Sequence, residues 1–293
     1  MAALFDSEFL KKLEYLSLVS RRVFRGQLLA QRRTMQLGGG IEFADHREYT
    51  PGDDFRYLDW NVFARHDELL LKRFQEEEDL HVYLFLDCSR SMAFGRPSKF
   101  DLARQVAAAL AYIALADLDR VAVIAFAGDI VADFPLTRGK ARILSLLKFL
   151  EGVPSQGSVT NLARATSGFV HRSQRRGLAV VISDLYDPEG FERGLDLLRH
   201  HRYEPHLVQI YDRNEAEPKL LGDVELYDIE TGTTQKVTVT ERNLRQYHQI
   251  FDQFQESVRR YCNNYGLGFT RTTSDVPFDD LILKMMRMAG AVR

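Results

Sequence analysis

The sequence has few cysteines, and their placement excludes two kinds of stabilisation. Only two, Cys88 and Cys262, occur among 293 residues. They lie far apart and neither belongs to a C-x-x-C pair, so we expect neither a disulfide framework nor a cysteine-based metal centre. We predict that both thiols are reduced and buried. A chain of this length forms a sufficient hydrophobic core without a covalent or metal crosslink.

Neither sign of charge dominates the composition. Lys and Arg together number 39 and Asp and Glu 41, which gives a formal net charge of −2. A nearly neutral chain offers no compositional reason to expect nucleic-acid binding. The basic segment RGQLLAQRR (25–33) has little aromatic interleaving. We therefore interpret it as a solvated face or a protein contact.

The sequence also lacks long apolar runs. No stretch approaches the roughly 20 apolar residues that a membrane-spanning helix needs. The first residues, MAALFDSEFLKKLEYLSLVSRRVF, interleave charges with apolar side chains and have no continuous apolar core of the kind found in a signal peptide. A G-x-x-x-x-G-K-[ST] loop is missing too, so we do not expect the chain itself to hydrolyse ATP. We expect a cytoplasmic protein without a membrane span.

What the sequence has is a regular alternation of buried-type strands and amphipathic helices. Strands are predicted at 81–87, 120–126, near 130–134, 177–184 and 205–212. Helices are predicted at 99–117, 140–151, 161–173, 188–201 and 241–265. Continuous runs of Val, Ile and Leu are typical of strands that are covered on both faces. The predicted fold class is therefore α/β, a doubly wound, mostly parallel sheet with helices on both faces.

Additional segments flank or interrupt this alternation. Apolar residues at helical spacing predict an amino-terminal helix at 1–23, followed by an arm with a leading strand at 24–79 and the α/β domain at 80–293. We interpret the acidic EEED (76–79) as a solvated connection between strands. Two β-rich runs around ETGTT predict a β-hairpin insertion at about 213–240.

Oxygen-bearing side chains follow several of the predicted strands. One strand ends in an acid followed by two serines, a later loop carries a threonine before a helix, and another strand ends in an acid: Asp87, Ser89, Ser91, Thr160 and Asp184. Ligands of doubly wound sheets bind at the carboxyl ends of the strands, so these side chains are expected to converge there. Oxygen ligands without a nearby His or Cys favour Mg²⁺ or Mn²⁺ over zinc.

The order Asp87-x-Ser89-x-Ser91, then Thr160, then Asp184 resembles the metal-ion-dependent adhesion site (MIDAS) of von Willebrand factor A (vWA) domains. The upstream stretch GIEFADHREYTPGDDFRYLDWNVFAR is similar to the signature of the domain of unknown function 58 family, which carries such a domain. The resemblance implies a vWA-like domain at 80–293, acting as a non-enzymatic, Mg²⁺-dependent protein-interaction module. Its metal would accept an Asp or Glu carboxylate from a protein partner. The resemblance also implies a MoxR-type AAA+ ATPase as a partner in protein complex assembly or maturation.

Other interpretations of the same residues stay open. The two serines are also suited to a turn, with Ser98 as the N-cap of the next helix. An enzyme is the second functional hypothesis: a Mg²⁺-dependent phosphohydrolase of haloacid-dehalogenase type, with Asp87 as nucleophile and Asp184 and Asp187 holding the metal. Ser89 stands where that class usually has a second acid, which argues against it, and we interpret Asp187 as a helix-start residue. A third hypothesis is a structural subunit with a vestigial site.

The upstream signature and Cys88 need separate interpretations. The signature contains Asp53, Asp54, Arg56, Asp59, Trp60 and Arg65. Arg is suited to bidentate pairing with carboxylates, so we predict a loop held by such pairs and anchored by Trp60, the only tryptophan. A docking surface is the alternative. By strand alternation, Cys88 is expected to point away from the site as a core thiol.

Overall fold

The computed structural model describes residues 4–24, 33–36, 42–77, 80–155, 159–173, 175–229 and 232–291. Its contacts divide the chain into a larger unit, Met1–Ser20 with His81–Arg293, and a smaller unit, Arg21–Leu80. Most of the basic segment 25–33 lies outside the described residues. Within the described ranges, no helix has the length and apolar character that crossing a membrane requires.

The elements follow in chain order. The α-helices of the described residues are α1 (Ser7–Phe24), α2 (Trp60–His66), α3 (Lys99–Ala116), α4 (Ile143–Gly152), α5 (Leu162–Arg172), α6 (Glu192–His200), α7 (Arg213–Ala216), α8 (Glu241–Asn264) and α9 (Phe278–Ala291). The strands are β1 (Arg33–Gln36), β2 (Glu42–Glu48), β3 (Leu70–Glu77), β4 (His81–Asp87), β5 (Arg120–Phe126), β6 (Ile130–Arg138), β7 (Leu178–Ser183), β8 (Glu204–Tyr211), β9 (Gly222–Tyr227), β10 (Thr234–Val239) and β11 (Gly268–Thr273).

A six-stranded sheet forms the centre of the larger unit. Its strand order is β11-β8-β7-β4-β5-β6. All neighbours pair in parallel except β6, which runs antiparallel to β5 at the edge. This arrangement, with helices between successive parallel strands, confirms the predicted α/β class with a mostly parallel sheet. Successive strands are added on one side of β4 (β5 and β6) and then on its other side (β7, β8 and β11), so the strand order reverses between β4 and β7, where a doubly wound sheet opens a crevice at its carboxyl edge.

The central strands are buried because both faces are covered. In β4 and β5 every residue after the first is buried. Helix α3 packs against β4 and β5 through a run of small side chains that includes Ala107, Ala108 and Ala111, each fully buried. Small residues let a helix axis approach the sheet closely. Each fully buried Val, Leu, Ile or Phe of the strands contributes about 1.5–3 kcal/mol of hydrophobic free energy. The sheet is therefore a rigid platform for the loops at its carboxyl edge.

Several boundaries differ from the sequence prediction. The helix predicted at 188–201 begins only at Glu192, because the residues after Pro188 form a turn closed by Gly190 at a φ of 85°. The strand predicted near 130–134 extends to Arg138 as an edge strand that alternates in burial. The acidic segment is partly strand, since β3 reaches Glu77 and pairs with β1 there. The predicted hairpin is present as the pair β9 and β10.

The smaller unit contains a three-stranded antiparallel sheet in the order β1-β3-β2. Its signature loop is held by the predicted Arg–carboxylate pairs, Arg47 with Asp53 at 2.7 Å and Arg56 with Asp54 at 2.6 Å. The prediction that Trp60 anchors the loop is wrong. Trp60 is the first residue of α2, and its side chain is 60% exposed. Asp59 holds this segment instead, because it caps α2 and is itself nearly buried.

Candidate functional site

The acid at the end of β4 is fixed by two hydrogen bonds. Asp87 is fully buried. Its Oδ1 accepts the backbone N–H of Ser89 at 2.9 Å, and its Oδ2 accepts the hydroxyl of Ser183 at 2.5 Å. Ser183 ends β7, the neighbouring strand, and sequence analysis did not single it out. The carboxylate is therefore oriented by its own loop and by the next strand together.

The two serines present their hydroxyls to each other. Ser89 and Ser91 are both buried, and their Oγ atoms lie 3.0 Å apart. The helix cap is supplied elsewhere, since Ser98 accepts the N–H of Asp101 at 3.1 Å and precedes α3. The backbone does form the predicted turn, with a bond from Met92 N–H to the carbonyl of Ser89. The turn places the hydroxyls, and helix capping does not consume them.

Thr160 lies at the same edge of the sheet. The N–H of the next residue, Asn161, donates to the carbonyl of Ala127, directly after β5, at 2.9 Å. The N–H of Leu162 donates to Asp187 Oδ2 at 2.8 Å, which ties this loop to the one after β7. Thr160 Oγ1 is buried, and within the described part of the chain it has no hydrogen-bond partner. A buried hydroxyl without a partner costs roughly 1–3 kcal/mol, so Thr160 Oγ1 is a candidate contact for a bound ligand.

These contacts also correct the interpretation of Asp187. It does not start a helix, because α6 begins at Glu192. Its two oxygens accept the N–H groups of Leu162 and Glu189, so it caps α5 from a separate loop. Asp187 thus positions the segment that carries Thr160.

The acid that follows β7 is also buried. Asp184 Oδ1 accepts the N–H of Tyr186 at 3.1 Å, and Oδ2 accepts the ammonium of Lys99 at 2.7 Å. The turn passes through Leu185 at a φ of 64°, a left-handed conformation that leucine rarely adopts. Such a residue persists only where its surroundings impose the conformation, and functional loops are a common location.

Lys99 is the main residue beside the candidate site that sequence analysis did not single out. Its side chain is fully buried and forms ion pairs with Asp184 at 2.7 Å and Glu215 at 2.5 Å. Its Nζ also lies 5.0 Å from the ring centroid of Tyr186. Burial alone would lower the pKa of Lys99, but the charges of Asp184 and Glu215 raise it above its usual value. The sequence contained one signal, since Lys99 occupies a core-facing position of α3, three and four residues before buried Leu102 and Ala103.

The electrostatics show that the two acids are close enough to interact. Burial, and then the negative charge of Asp184, raises the pKa of Asp87 to about 7. Both effects disfavour two bare carboxylates side by side, and a cation relieves both. Burial raises the pKa of Cys88 to about 12, and its Sγ lies 3.2 Å from the carbonyl of Phe126. The prediction of a buried core thiol is confirmed for Cys88, and Cys262 is free and buried as well.

A cavity of about 440 Å³ opens beside Thr160. Its lining comes from the loops after β5 and β7 and from the start of α5: Gly128, Asp129, Val159, Thr160, Asn161, Arg164, Pro188 and Glu189. Arg164 and Asp129 pair at 3.2 Å there, and both are largely exposed. Of the five predicted site residues, Thr160 lines this cavity, and the other four do not.

The donor set determines which metal the residues fit. Within the described residues, no group of three or more His, Cys, Asp or Glu is placed to hold a metal ion. The predicted residues instead comprise two carboxylates and three hydroxyls, one of which has an unused oxygen. Neutral hydroxyl oxygens with a few carboxylates suit Mg²⁺ or Mn²⁺ and not zinc. The chemistry of the residues therefore fits the hard divalent cation that the sequence predicted.

The fold and site define a doubly wound α/β domain with a buried cluster of acids and hydroxyls at the carboxyl edge of its sheet. The family model described as "Protein of unknown function DUF58" matches residues 45–258. This match covers well over half of the chain, so the protein belongs to that family. It includes both the signature loop of the smaller unit and the strands that carry the site.

Individual proteins are similar to this chain over most of its length. The uncharacterized protein Rv1480 of Mycobacterium tuberculosis is 28% identical over 238 residues, which are 80% of this chain and 75% of the relative. Among solved structures, the conserved hypothetical protein BatB of Bacteroides thetaiotaomicron matches 72% of this chain and 98% of its own, with 16% identity and a TM-score of 0.46. An aerotolerance-related membrane protein of Bacteroides fragilis matches 71% of this chain and 99% of its own chain, with 17% identity and a TM-score of 0.45.

Proposed function

We propose that the protein is a non-enzymatic protein-interaction module whose site is a vWA-type MIDAS that holds Mg²⁺ or Mn²⁺. The observation that supports this most strongly is the buried hydroxyl of Thr160, which has no hydrogen-bond partner among the described residues and lies at the same sheet edge as Asp87, Ser89 and Ser91. A buried oxygen without a partner destabilises the metal-free fold, and a ligand that contacts this oxygen removes the destabilisation.

Each side chain of the cluster has a distinct part in this function. Ser89, Ser91 and Thr160 supply neutral oxygens, and Asp87 and Asp184 supply negative charge from orientations fixed by hydrogen bonds. When bound, the cation supplies an electrophilic position that accepts a carboxylate oxygen from another protein. Because most of the surrounding oxygens are neutral, much of the cation's charge stays available for that carboxylate.

The partner is a protein that presents an Asp or Glu side chain. The cavity beside Thr160 is where such a segment approaches the site, and Arg164 at its rim offers a further contact for an acidic residue. The family resemblance suggests a MoxR-type AAA+ ATPase as this partner, in the assembly or maturation of protein complexes.

The state of Asp87 favours binding over catalysis. A nucleophilic carboxylate must contact its substrate directly. Asp87 is fully buried, whereas a charge that only supports a cation needs no contact with the partner. The hydroxyl of Ser89 also stands where the phosphohydrolase hypothesis needs an acid.

Titration calorimetry with Mn²⁺ tests the cation site. We expect saturable binding that weakens about tenfold or more in Ser91→Ala and in Thr160→Val, because each removes a hydroxyl oxygen from the cluster. Thr166→Val is the matched control, since the Thr166 hydroxyl is equally buried but donates to carbonyls of its own helix. Unchanged affinity in both site variants contradicts the assignment.

Pull-down with and without EDTA, followed by mass spectrometry, tests the interaction and identifies the partner. We expect the captured protein to be lost in EDTA and in Thr160→Val. Turnover of phosphomonoesters with Mg²⁺ that disappears in Asp87→Asn would instead establish the enzyme, and partner binding that persists in EDTA would indicate a vestigial site.

A further inference from the structure

A fixed ammonium group stands beside the proposed cation site. We propose that Lys99 is an internal counter-charge that weakens cation binding at this site, and that Glu215 of α7 controls how strongly it does so. The inference rests on the proposed function and adds its regulation. Lys99 acts through Asp184, so it is a positioning and tuning residue.

Burial holds the ammonium of Lys99 against two carboxylates, those of Asp184 and Glu215. Its side chain is fully buried, and its ammonium lies 2.7 Å from Asp184 Oδ2 and 2.5 Å from Glu215 Oε1. The ring of Tyr186 covers another side at 5.0 Å. A buried ammonium must keep its charged partners, because separating them leaves an uncompensated charge away from water. Lys99 therefore stays at Asp184 whether or not a cation arrives.

The charges explain the consequence for cation binding. Asp87 and Asp184 offer the negative charge of the site, and the ammonium of Lys99, which is shared with Glu215, offsets part of it. A divalent cation at these carboxylates is therefore repelled by the ammonium, to an extent that depends on how much of its charge Glu215 offsets. A carboxylate from a partner restores the missing charge. Cation loading and partner binding are in this way expected to strengthen each other, as thermodynamic linkage requires.

Glu215 connects this balance to the carboxyl-terminal part of the larger unit. Its Oε2 accepts the N–H of Asp212 at 2.8 Å in a capping box, and its carbonyl accepts the hydroxyl of Tyr247, on α8, at 2.5 Å. Asp212 in turn accepts the hydroxyl of Ser274, after β11, at 2.9 Å. Glu215 is thus held in place by contacts to α8 and to the segment after β11. Any movement of α7 changes the distance from the ammonium of Lys99 to Glu215, and with it the strength of the Lys99–Asp184 pair.

Two neutral variants with opposite expected signs test the inference. In Lys99→Met, the repelling charge is gone and Mn²⁺ affinity by calorimetry is expected to rise about tenfold or more. In Glu215→Gln, the capping contact to Asp212 is retained, but Lys99 is left to Asp184 alone, and affinity is expected to fall about three- to tenfold. Lys99→Arg keeps the charge and is expected to resemble the unaltered chain more closely than Lys99→Met does.

The opposite signs separate electrostatic tuning from a structural role. Damage to the fold would lower affinity in both variants, and thermal unfolding of each variant without metal measures such damage directly. If Lys99→Met binds Mn²⁺ no more tightly than the unaltered chain, or if Glu215→Gln does not weaken binding, the inference is overturned. If Lys99→Met does not fold, Glu215→Gln decides. Absence of Mn²⁺ binding in the unaltered chain overturns the proposed function as well.

Discussion

Replacing Thr160 with valine is expected to stabilise the metal-free protein while weakening its metal site. Valine has the shape of threonine but no hydroxyl, and Thr160 is 2% exposed with an Oγ1 that lacks a hydrogen-bond partner among the described residues. Most buried threonines lose stability in this exchange because a hydrogen bond disappears. Thr160 Oγ1 has no such bond within the described residues, so Thr160→Val removes only the unfavourable desolvation of a buried hydroxyl.

The magnitude follows from that desolvation. Burying a hydroxyl without a partner costs about 1–3 kcal/mol, and valine returns most of this to the free energy of unfolding. For a chain of this size, 1 kcal/mol corresponds to about 2 °C in Tm, so we expect Thr160→Val to raise Tm by about 2–6 °C in EDTA. With saturating Mn²⁺ the order is expected to reverse, because the unaltered chain gains ligand stabilisation that the variant lacks.

Differential scanning calorimetry in EDTA and in Mn²⁺ measures both effects. Thr166→Val is the control, because the Thr166 hydroxyl donates to the carbonyls of Leu162 at 2.8 Å and Ala163 at 3.1 Å. It is expected to lose about 0.5–1.5 kcal/mol in either condition. A metal-free Thr160→Val that melts at or below the unaltered chain would refute the reasoning, since the hydroxyl would then have a stabilising partner within the fold.

Three further outcomes follow from contacts elsewhere in the chain. Asp59→Ala is expected to cost about 1–2 kcal/mol and to speed amide exchange at the start of α2, because Asp59 accepts the N–H of Asn61 at 3.0 Å and pairs with His46. Asp54→Ala removes a more exposed pair with Arg56 and is expected to cost less than Asp59→Ala. Burial lowers the pKa of His206 to about 4, below the value of about 6.5 in the unfolded chain. The free energy of unfolding is therefore highest above about pH 6.5 and falls by up to about 3 kcal/mol towards pH 4. Urea titrations at several pH values should find this dependence flattened in His206→Gln. Gly194→Ala is expected to lower Tm by several degrees, because its Cβ would lie 2.6 Å from the Cγ of Leu162; an unchanged Tm would show that α5 and α6 separate freely.

The local pattern of the chain predicted the fold class and the members of the candidate cluster. Continuous apolar runs identified β4, β5 and β7, and small and apolar residues at helical spacing identified α3. Strand ends in a parallel sheet share an edge, so the positions of Asp87 and Asp184 after two such runs were enough to place both at that edge. The inferences about the fold class and the strand ends succeeded because they depend only on periodicity and on the general architecture of α/β sheets, and the assignment of the cluster as a metal site stays a prediction.

Sequence periodicity did not predict the features that depend on the tertiary environment of a residue. The exposure of Trp60 could not be inferred from its type, because tryptophan is usually well buried, whereas the short helix α2 has no buried residue among Trp60–His66. Helix α6 starts later than predicted because a glycine turn precedes it. In both cases the local pattern allowed two outcomes and the surrounding packing selected one.

The sequence by itself determined the order of strands and helices and the oxygen-bearing side chains at the strand ends. Only the tertiary structure decided which partners those side chains meet. Lys99 pairs with an acid 85 positions away and another 116 positions away, and Ser183 reaches Asp87 across 96 positions. Such contacts depend on which strands become neighbours and how their ends align in register. Side-chain periodicity is a local property, whereas the balance of charge in a buried site is set by residues that only the folded chain brings together.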